Sequence, residues 1–143
     1  MSAPGRRSGA HVESLAVTFG GTAETRAIQD VSLDIAEGEI VGLVGESGSG
    51  KSLTGLSLAG LLPARGCRVA AGRLEVFGRN VLRLDAAELQ ALRGPGVASV
   101  FQEPMSALNP TLRIGALMAE VIRRHSHRSR REAEEFALQQ LES

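Results

Sequence analysis

One stretch, Gly45-Glu46-Ser47-Gly48-Ser49-Gly50-Lys51-Ser52, constrains this chain more than any other. It has the spacing of a phosphate-binding loop: Gly, four residues, then Gly-Lys-Ser. The flanks agree with that reading. Ile40-Val41-Gly42-Leu43-Val44 is an apolar run that reads as a buried strand. Residues 51–62 read as a helix, with Leu53, Leu56, Ser57 and Gly60 on one face and Leu58, Leu61 and Leu62 widening it. The glycines therefore stand between a strand and a helix. There, backbone N–H groups and the positive end of the helix can surround a triphosphate. Lys51 would reach the β- and γ-phosphates, and the Ser52 hydroxyl would be one ligand of a magnesium ion. Lys51 is the only lysine of the chain; every other strong base is arginine. A compact ammonium is what a phosphate cradle accommodates.

Length and composition bound the rest. A chain of 143 residues, 43% hydrophobic and 22% charged, is ordinary for one globular domain with a real core. The formal net charge is zero, which gives no electrostatic reason to expect a nucleic-acid partner. Cys67 is alone, so no internal disulfide can form, which fits a reducing compartment. No apolar run approaches a membrane span. Residues 1–11 are small, polar and basic and read as a disordered leader rather than a secretory signal.

Taken in order, Leu15, Val17 and Phe19 alternate with Ala16 and Thr18 as in a half-buried strand. Gly20-Gly21-Thr22 turns the chain. Val31, Leu33 and Ile35 mark a second strand, so the N-terminus carries an antiparallel portion. Arg73 to Phe77 reads as another strand, with Leu74 and Val76 on one face. Asp85 and Glu88 fit a capping box for a helix from about Ala86 to Leu92. Gly94-Pro95-Gly96 ends it. Val97-Ala98-Ser99-Val100-Phe101 reads as a second buried strand, stopping at Gln102-Glu103-Pro104. Ile114, Leu117, Met118, Val121 and Ile122 recur at helical spacing. Ser129 and Glu132 form a further capping box ahead of Ala133, Phe136, Ala137 and Leu141.

With these pieces in place, the chain resembles the ATP-binding subunits of ABC transporters, in the dipeptide/oligopeptide and nickel importer branch. The resemblance rests on the phosphate loop, on Asp30-Val31-Ser32-Leu33-Asp34-Ile35 with Glu37-Gly38-Glu39, and on Val100-Phe101-Gln102-Glu103-Pro104-Met105-Ser106-Ala107-Leu108-Asn109-Pro110. The last is the most specific. The resemblance implies an α/β P-loop NTPase of ABC type, with an N-terminal antiparallel β portion and the start of a helical subdomain. Residues 12–110 would be the P-loop core and residues 111–143 the beginning of that subdomain. It also implies that ATP and Mg2+ bind at residues 45–52, with the Gln102 amide oxygen as a second magnesium ligand. Glu103, Pro104, Met105, Ser106, Ala107 and Leu108 would face a membrane subunit. Phe19 is the one aromatic available to stack on adenine, and continues the Leu15/Val17 face as a core residue would. Implied partners are the membrane subunits, a second ATP-binding subunit in a homo- or heterodimer, and indirectly an extracytoplasmic solute-binding protein. The implied location is peripheral, on the cytoplasmic face of the inner membrane.

After Gln102, the 143 residues contain no apolar strand ending in aspartate with a following glutamate, no Leu-Ser-Gly-Gly-type signature and no switch histidine. The stretch resembles the N-terminal half of the family's domain, and ATP binding without significant hydrolysis is the expectation for it. Two other readings stand beside this one. A small P-loop kinase would use the basic run between Arg123 and Arg131 as a lid over phosphates. The plain reading of that run is two solvated helix ends and their turn. A non-catalytic module would bind nucleotide or a partner without turnover. His125 and His127 lack the further ligands a metal site needs.

Overall fold

The computed structural model describes residues 8–20, 24–103 and 108–142. They fall into two compact units, divided between Ala98 and Ser99. The family resemblance implies a helical subdomain beginning at residue 111.

The first unit is built on two long strands, β1 (Ser8–Gly20) and β2 (Glu24–Ala36), paired antiparallel. The helix α1 (Lys51–Leu58) follows the phosphate loop. Then come β3 (Cys67–Ala70), β4 (Arg73–Val76) and the two-residue β5 (Arg79–Asn80). A 3-10 turn (Val81–Arg83) leads into α2 (Ala86–Leu92). The sheet order is β2-β1-β4-β5, and β3 pairs with the other half of β1's free edge. Every described pairing in this sheet is antiparallel. The antiparallel portion expected at the N-terminus is therefore present, and larger than the sequence indicated. Strand β1 begins at Ser8, so residues 8–11, expected in a disordered leader, are strand. Residues 1–7, and residues 21 and 22 of the expected turn, lie outside the described residues.

The alternation of Leu15, Val17 and Phe19 holds, but the core face of β1 also includes Val12, an odd number of residues from Leu15. A bulge reconciles them. Ser14 has φ 51 and the register with β2 shifts between Val12 and Leu15. The extra residue returns the side chains to the same face. The Ser14 N–H, freed from the ladder, donates to Ser32 Oγ at 2.9 Å. Val12, Leu15, Val17, Ile28, Leu74, Val76, Val81 and Leu92 make one buried cluster. Leu74 and Val76 share a face as their spacing requires.

Helix α1 corrects the sequence reading. It ends at Leu58, and its fully buried positions are Thr54 and Ser57, not a leucine stripe. Each hydroxyl is satisfied within the helix: Thr54 Oγ1 donates to Gly50 O at 3.0 Å and Ser57 Oγ to Leu53 O at 2.7 Å. Leu53, Leu58 and Leu62 pack around the core from the sides. Helix α2 begins with the predicted capping box. Asp85 Oδ1 accepts from the Glu88 N–H at 2.8 Å, and Glu88 Oε2 accepts from the Asp85 N–H at 3.0 Å.

The two apolar runs read as buried strands are not strands here. Residues 40–44 form no ladder, with Ile40 98% and Val44 91% exposed. In residues 97–101 only Val97 makes a bridge, a parallel one to Arg93, and Val100 is 96% exposed. Continuous apolar runs are characteristic of strands covered on both faces and paired in parallel through crossovers. Among the described residues, no neighbouring strand meets either run.

The second unit holds α3 (Ile114–His125) and α4 (Arg130–Glu142), packed as a hairpin. Its start follows the sequence signal: Ser129 Oγ accepts from the Glu132 N–H at 3.4 Å, and Glu132 Oε2 accepts from the Ser129 N–H at 2.8 Å. Only alanines are fully buried in the two helices, Ala119, Ala133 and Ala137. Ile114, Val121, Leu138 and Leu141, expected or available as core, are exposed. No helix among the described residues is long and apolar enough to cross a membrane.

Candidate nucleotide site

Gly45 to Ser52 form one continuous feature in the first unit. The loop closes with a bond from the Ser49 N–H to Glu46 O at 3.2 Å. Gly50 then takes a left-handed conformation, φ 92, as the N-cap of α1. Two constraints meet there. An L side chain resists that backbone angle, and a Cβ would stand 2.9 Å from Ile28 Cγ1 and 3.2 Å from Ala27 O. Glycine lets the loop seat directly on β2, which fixes the start of the helix against the sheet. Ile28 is in the buried core, so the seat is rigid.

The side chain of Lys51 turns back over the loop. Its Nζ donates to Gly45 O at 2.9 Å, to Glu46 O at 2.6 Å and to Ser49 Oγ at 3.3 Å. The ammonium is thus held inside the curve of the loop. No side chain caps α1, and its first turn holds no acidic residue. The N–H groups at that end are therefore open to an anion, which the helix dipole also favours. These features fit a polyphosphate: a cation held in a glycine-rich loop, an uncapped helix N-terminus and a hydroxyl, Ser52, in the first turn. Ser52 is exposed and Lys51 half-buried.

The other candidate residues are placed as follows. Phe19 lies near the end of β1, opposite Thr25 and Cys67, and packs half-buried against the core cluster. Gln102 and Glu103 sit in an exposed bend of the second unit, and the phosphate loop belongs to the first. Leu108 is exposed, and Pro104, Met105, Ser106 and Ala107 lie outside the described residues. Loss of solvent around Cys67 pushes its thiol up, which argues against a reactive role. Sequence reading missed two supports of the site. One is the contact of Gly50 with Ile28, which no spacing rule announces. The other is Arg93, whose Nε donates to Ala59 O at 3.1 Å and whose Nη2 donates to Gly60 O, both at the far end of α1.

The basic run is largely occupied locally. The Arg128 guanidinium stands 3.8 Å above the Phe136 ring. Arg130 and Arg131 pair with Glu134 and Glu135 at 2.9 and 3.2 Å along α4. This is the solvated-helix reading of the run, not a phosphate lid.

Comparison with known proteins agrees with the loop. The chain is 48% identical over 132 residues to the probable D,D-dipeptide transport ATP-binding protein DdpD of Escherichia coli, covering 92% of this chain and 40% of that protein. It is 40% identical over 124 residues to the dipeptide transport ATP-binding protein DppD of Bacillus subtilis, covering 87% and 36%. With the oligopeptide transport ATP-binding protein OppD of Escherichia coli it shares 40% over 134 residues, covering 93% and 39%. The chain spans about two fifths of the length of these curated relatives. The family profile described as ABC transporter matches residues 28–142, a span that takes in the phosphate loop, Arg93 and Gln102. That match takes in most of the chain, and this chain is a member of the ABC transporter family.

Proposed function

We propose that the chain carries the ATP-side half of the nucleotide site in the ATP-binding subunit of an importer for peptides or a related solute. The observation that carries this is the seat of Lys51, inside a glycine-rich loop that leads straight into an uncapped helix N-terminus. The names of the relatives, each a dipeptide or oligopeptide transport ATP-binding protein, support the choice of solute class.

Bound with magnesium, ATP supplies the phosphoanhydride bond whose cleavage powers a transport cycle. The chain's own residues bind and orient it. The Lys51 ammonium exchanges the carbonyls of Gly45 and Glu46 for phosphate oxygens, a stronger charge-assisted pairing. The N–H groups of the loop and of the first turn of α1 neutralise the remaining charge. Ser52 would hold the magnesium ion through its hydroxyl, and Gln102 is the candidate for a second oxygen ligand. Phe19 is the candidate for adenine, and would keep its place in the core if its ring does not stack there. Residues 103–108 would meet the membrane subunits on the cytoplasmic face of the inner membrane. A second ATP-binding subunit would close over the nucleotide.

Phosphoryl transfer also needs a group to orient the attacking water. None of the roles assigned above supplies that group, and MgATP binding is the activity we propose for these residues. The test is titration of the purified chain with a fluorescent ATP analogue. Lys51→Ala removes a charge-assisted contact and lowers affinity roughly tenfold to a hundredfold, at unchanged melting temperature. Binding indifferent to Lys51→Ala would overturn the reading.

A further inference from the structure

Helix α1 carries Lys51 and Ser52 at one end, and its other end is closed by backbone and side-chain hydrogen bonds. Ala59 is the C-cap, and Gly60 follows in the left-handed conformation, φ 62. The Gly60 N–H donates to Ser57 O at 3.0 Å and the Leu61 N–H to Leu56 O at 2.8 Å. This is the Schellman arrangement, which satisfies the last helical carbonyls. The carbonyls of Ala59 and Gly60 themselves remain, and both are taken by one side chain, the guanidinium of Arg93. The helix has no basic residue of its own in its last turn, so Arg93 also supplies the cation that the negative end of the dipole favours. A Cβ on Gly60 would stand 2.8 Å from Leu89 Cδ2 and 3.5 Å from Arg93 Nη2, so the fork is docked against a closely fitted turn.

Arg93 is itself held. It lies at the end of α2, where its N–H donates to Leu89 O at 3.1 Å. Its backbone bridges to Val97, and the Gly96 and Val97 N–H groups both return to Leu92 O, at 2.9 and 3.0 Å. Leu92 is in the buried core. The guanidinium therefore joins the far end of the phosphate helix to the root of the segment that runs on to Gln102. Gly50 seats the start of the helix, Thr54 and Ser57 are buried along its length, and Arg93 holds its far end.

We propose that Arg93 is a positioning residue for the nucleotide site: by clamping the Ala59 and Gly60 carbonyls it fixes the helix that presents Lys51 and Ser52 to the phosphates. The proposal rests on the nucleotide-binding reading of the loop and adds to it a residue outside the loop. A rigid planar fork matches two adjacent carbonyls in a way a shorter or apolar side chain does not.

The experiment is titration of the purified chain with a fluorescent ATP analogue and magnesium, as parent, Arg93→Ala and Arg93→Met. If the parent does not bind the nucleotide, the function proposed above fails, and this inference fails with it. If the parent binds, positioning predicts that Kd rises roughly tenfold with the number of sites per folded molecule unchanged. Faster amide exchange in residues 51–58 should accompany it. A role in stability alone would lower the number of competent sites with Kd unchanged, and that result would overturn the proposal. Should the alanine variant fail to fold, Arg93→Met decides, because it keeps the packed stem and removes only the donors. A raised Kd in that variant supports the clamp, and a parental Kd overturns it.

Discussion

The sheet of the first unit and the helical hairpin of the second handle apolar surface in opposite ways. In the sheet, Leu15 and Leu74 are wholly enclosed, and the cluster around them draws on β1, β2, β4 and α2. In the hairpin the enclosed residues are alanines, while Ile114, Val121, Leu138 and Leu141 face outward. Local devices support α4 itself: a Ser129–Glu132 capping box, two i,i+4 ion pairs and the Arg128–Phe136 stack. Such exposed pairs contribute only a few tenths of a kcal/mol each. The lesson is that an antiparallel sheet completes itself from neighbours in sequence, whereas a two-helix hairpin has too little facing area to bury its large residues.

This difference can be broken or sharpened experimentally. The largest effect belongs to the sheet core. Leu74→Ala should cost about 2–5 kcal/mol in denaturant unfolding, through lost burial and a cavity. Leu138→Ser, on the outer face of the hairpin, should change stability by no more than about 0.5 kcal/mol. Equal effects at the two sites would dissolve the contrast.

Next comes the joint between the loop and the sheet. Gly50→Ala forces a Cβ against Ile28 and Ala27 at a backbone angle that alanine resists. We expect about 1–3 kcal/mol of destabilisation and loss of nucleotide binding in the same titration that scores Lys51→Ala. Retained binding would mean that the loop does not depend on its seat on β2.

The smallest effect belongs to the hairpin's cap. Hydrogen bonds from the Ser129 hydroxyl and backbone hold the Glu132 carboxyl below its ordinary range. A carboxylate lowered in the folded state stabilises it above the ordinary carboxylate pKa, and that contribution disappears as pH falls through the lowered value. The helicity of α4 should therefore weaken slightly on acidification below about pH 4.5. Ser129→Ala should flatten the response, and an unchanged acid profile in that variant would remove the cap from the account.

Much of the fold was legible in the residues because it is local. Alternation marked β1, β2 and β4. Asp85 with Glu88 and Ser129 with Glu132 marked helix starts to the residue, because capping is a contact between residues three apart. What escaped was non-local or irregular. β3 is four residues and β5 two, too short for a periodic signal, and both exist through pairing with distant partners. The Ser14 bulge, which brings Val12 into the core, reverses the simple parity of its strand. The runs at residues 40–44 and 97–101 carry the composition of buried strands, yet a strand is made by its neighbours, and none of the described residues supplies one.

The candidate site divides along the same line. The sequence by itself determined the phosphate loop, because glycine, lysine and serine at that spacing are dictated by backbone geometry and charge within a few residues. Only the tertiary structure decided how the loop is held. Gly50 rests on Ile28, and Arg93 closes the helix from its far end; both are meetings of residues far apart in the chain. Close packing selects such partners in three dimensions, and their spacing in one dimension carries no trace of it.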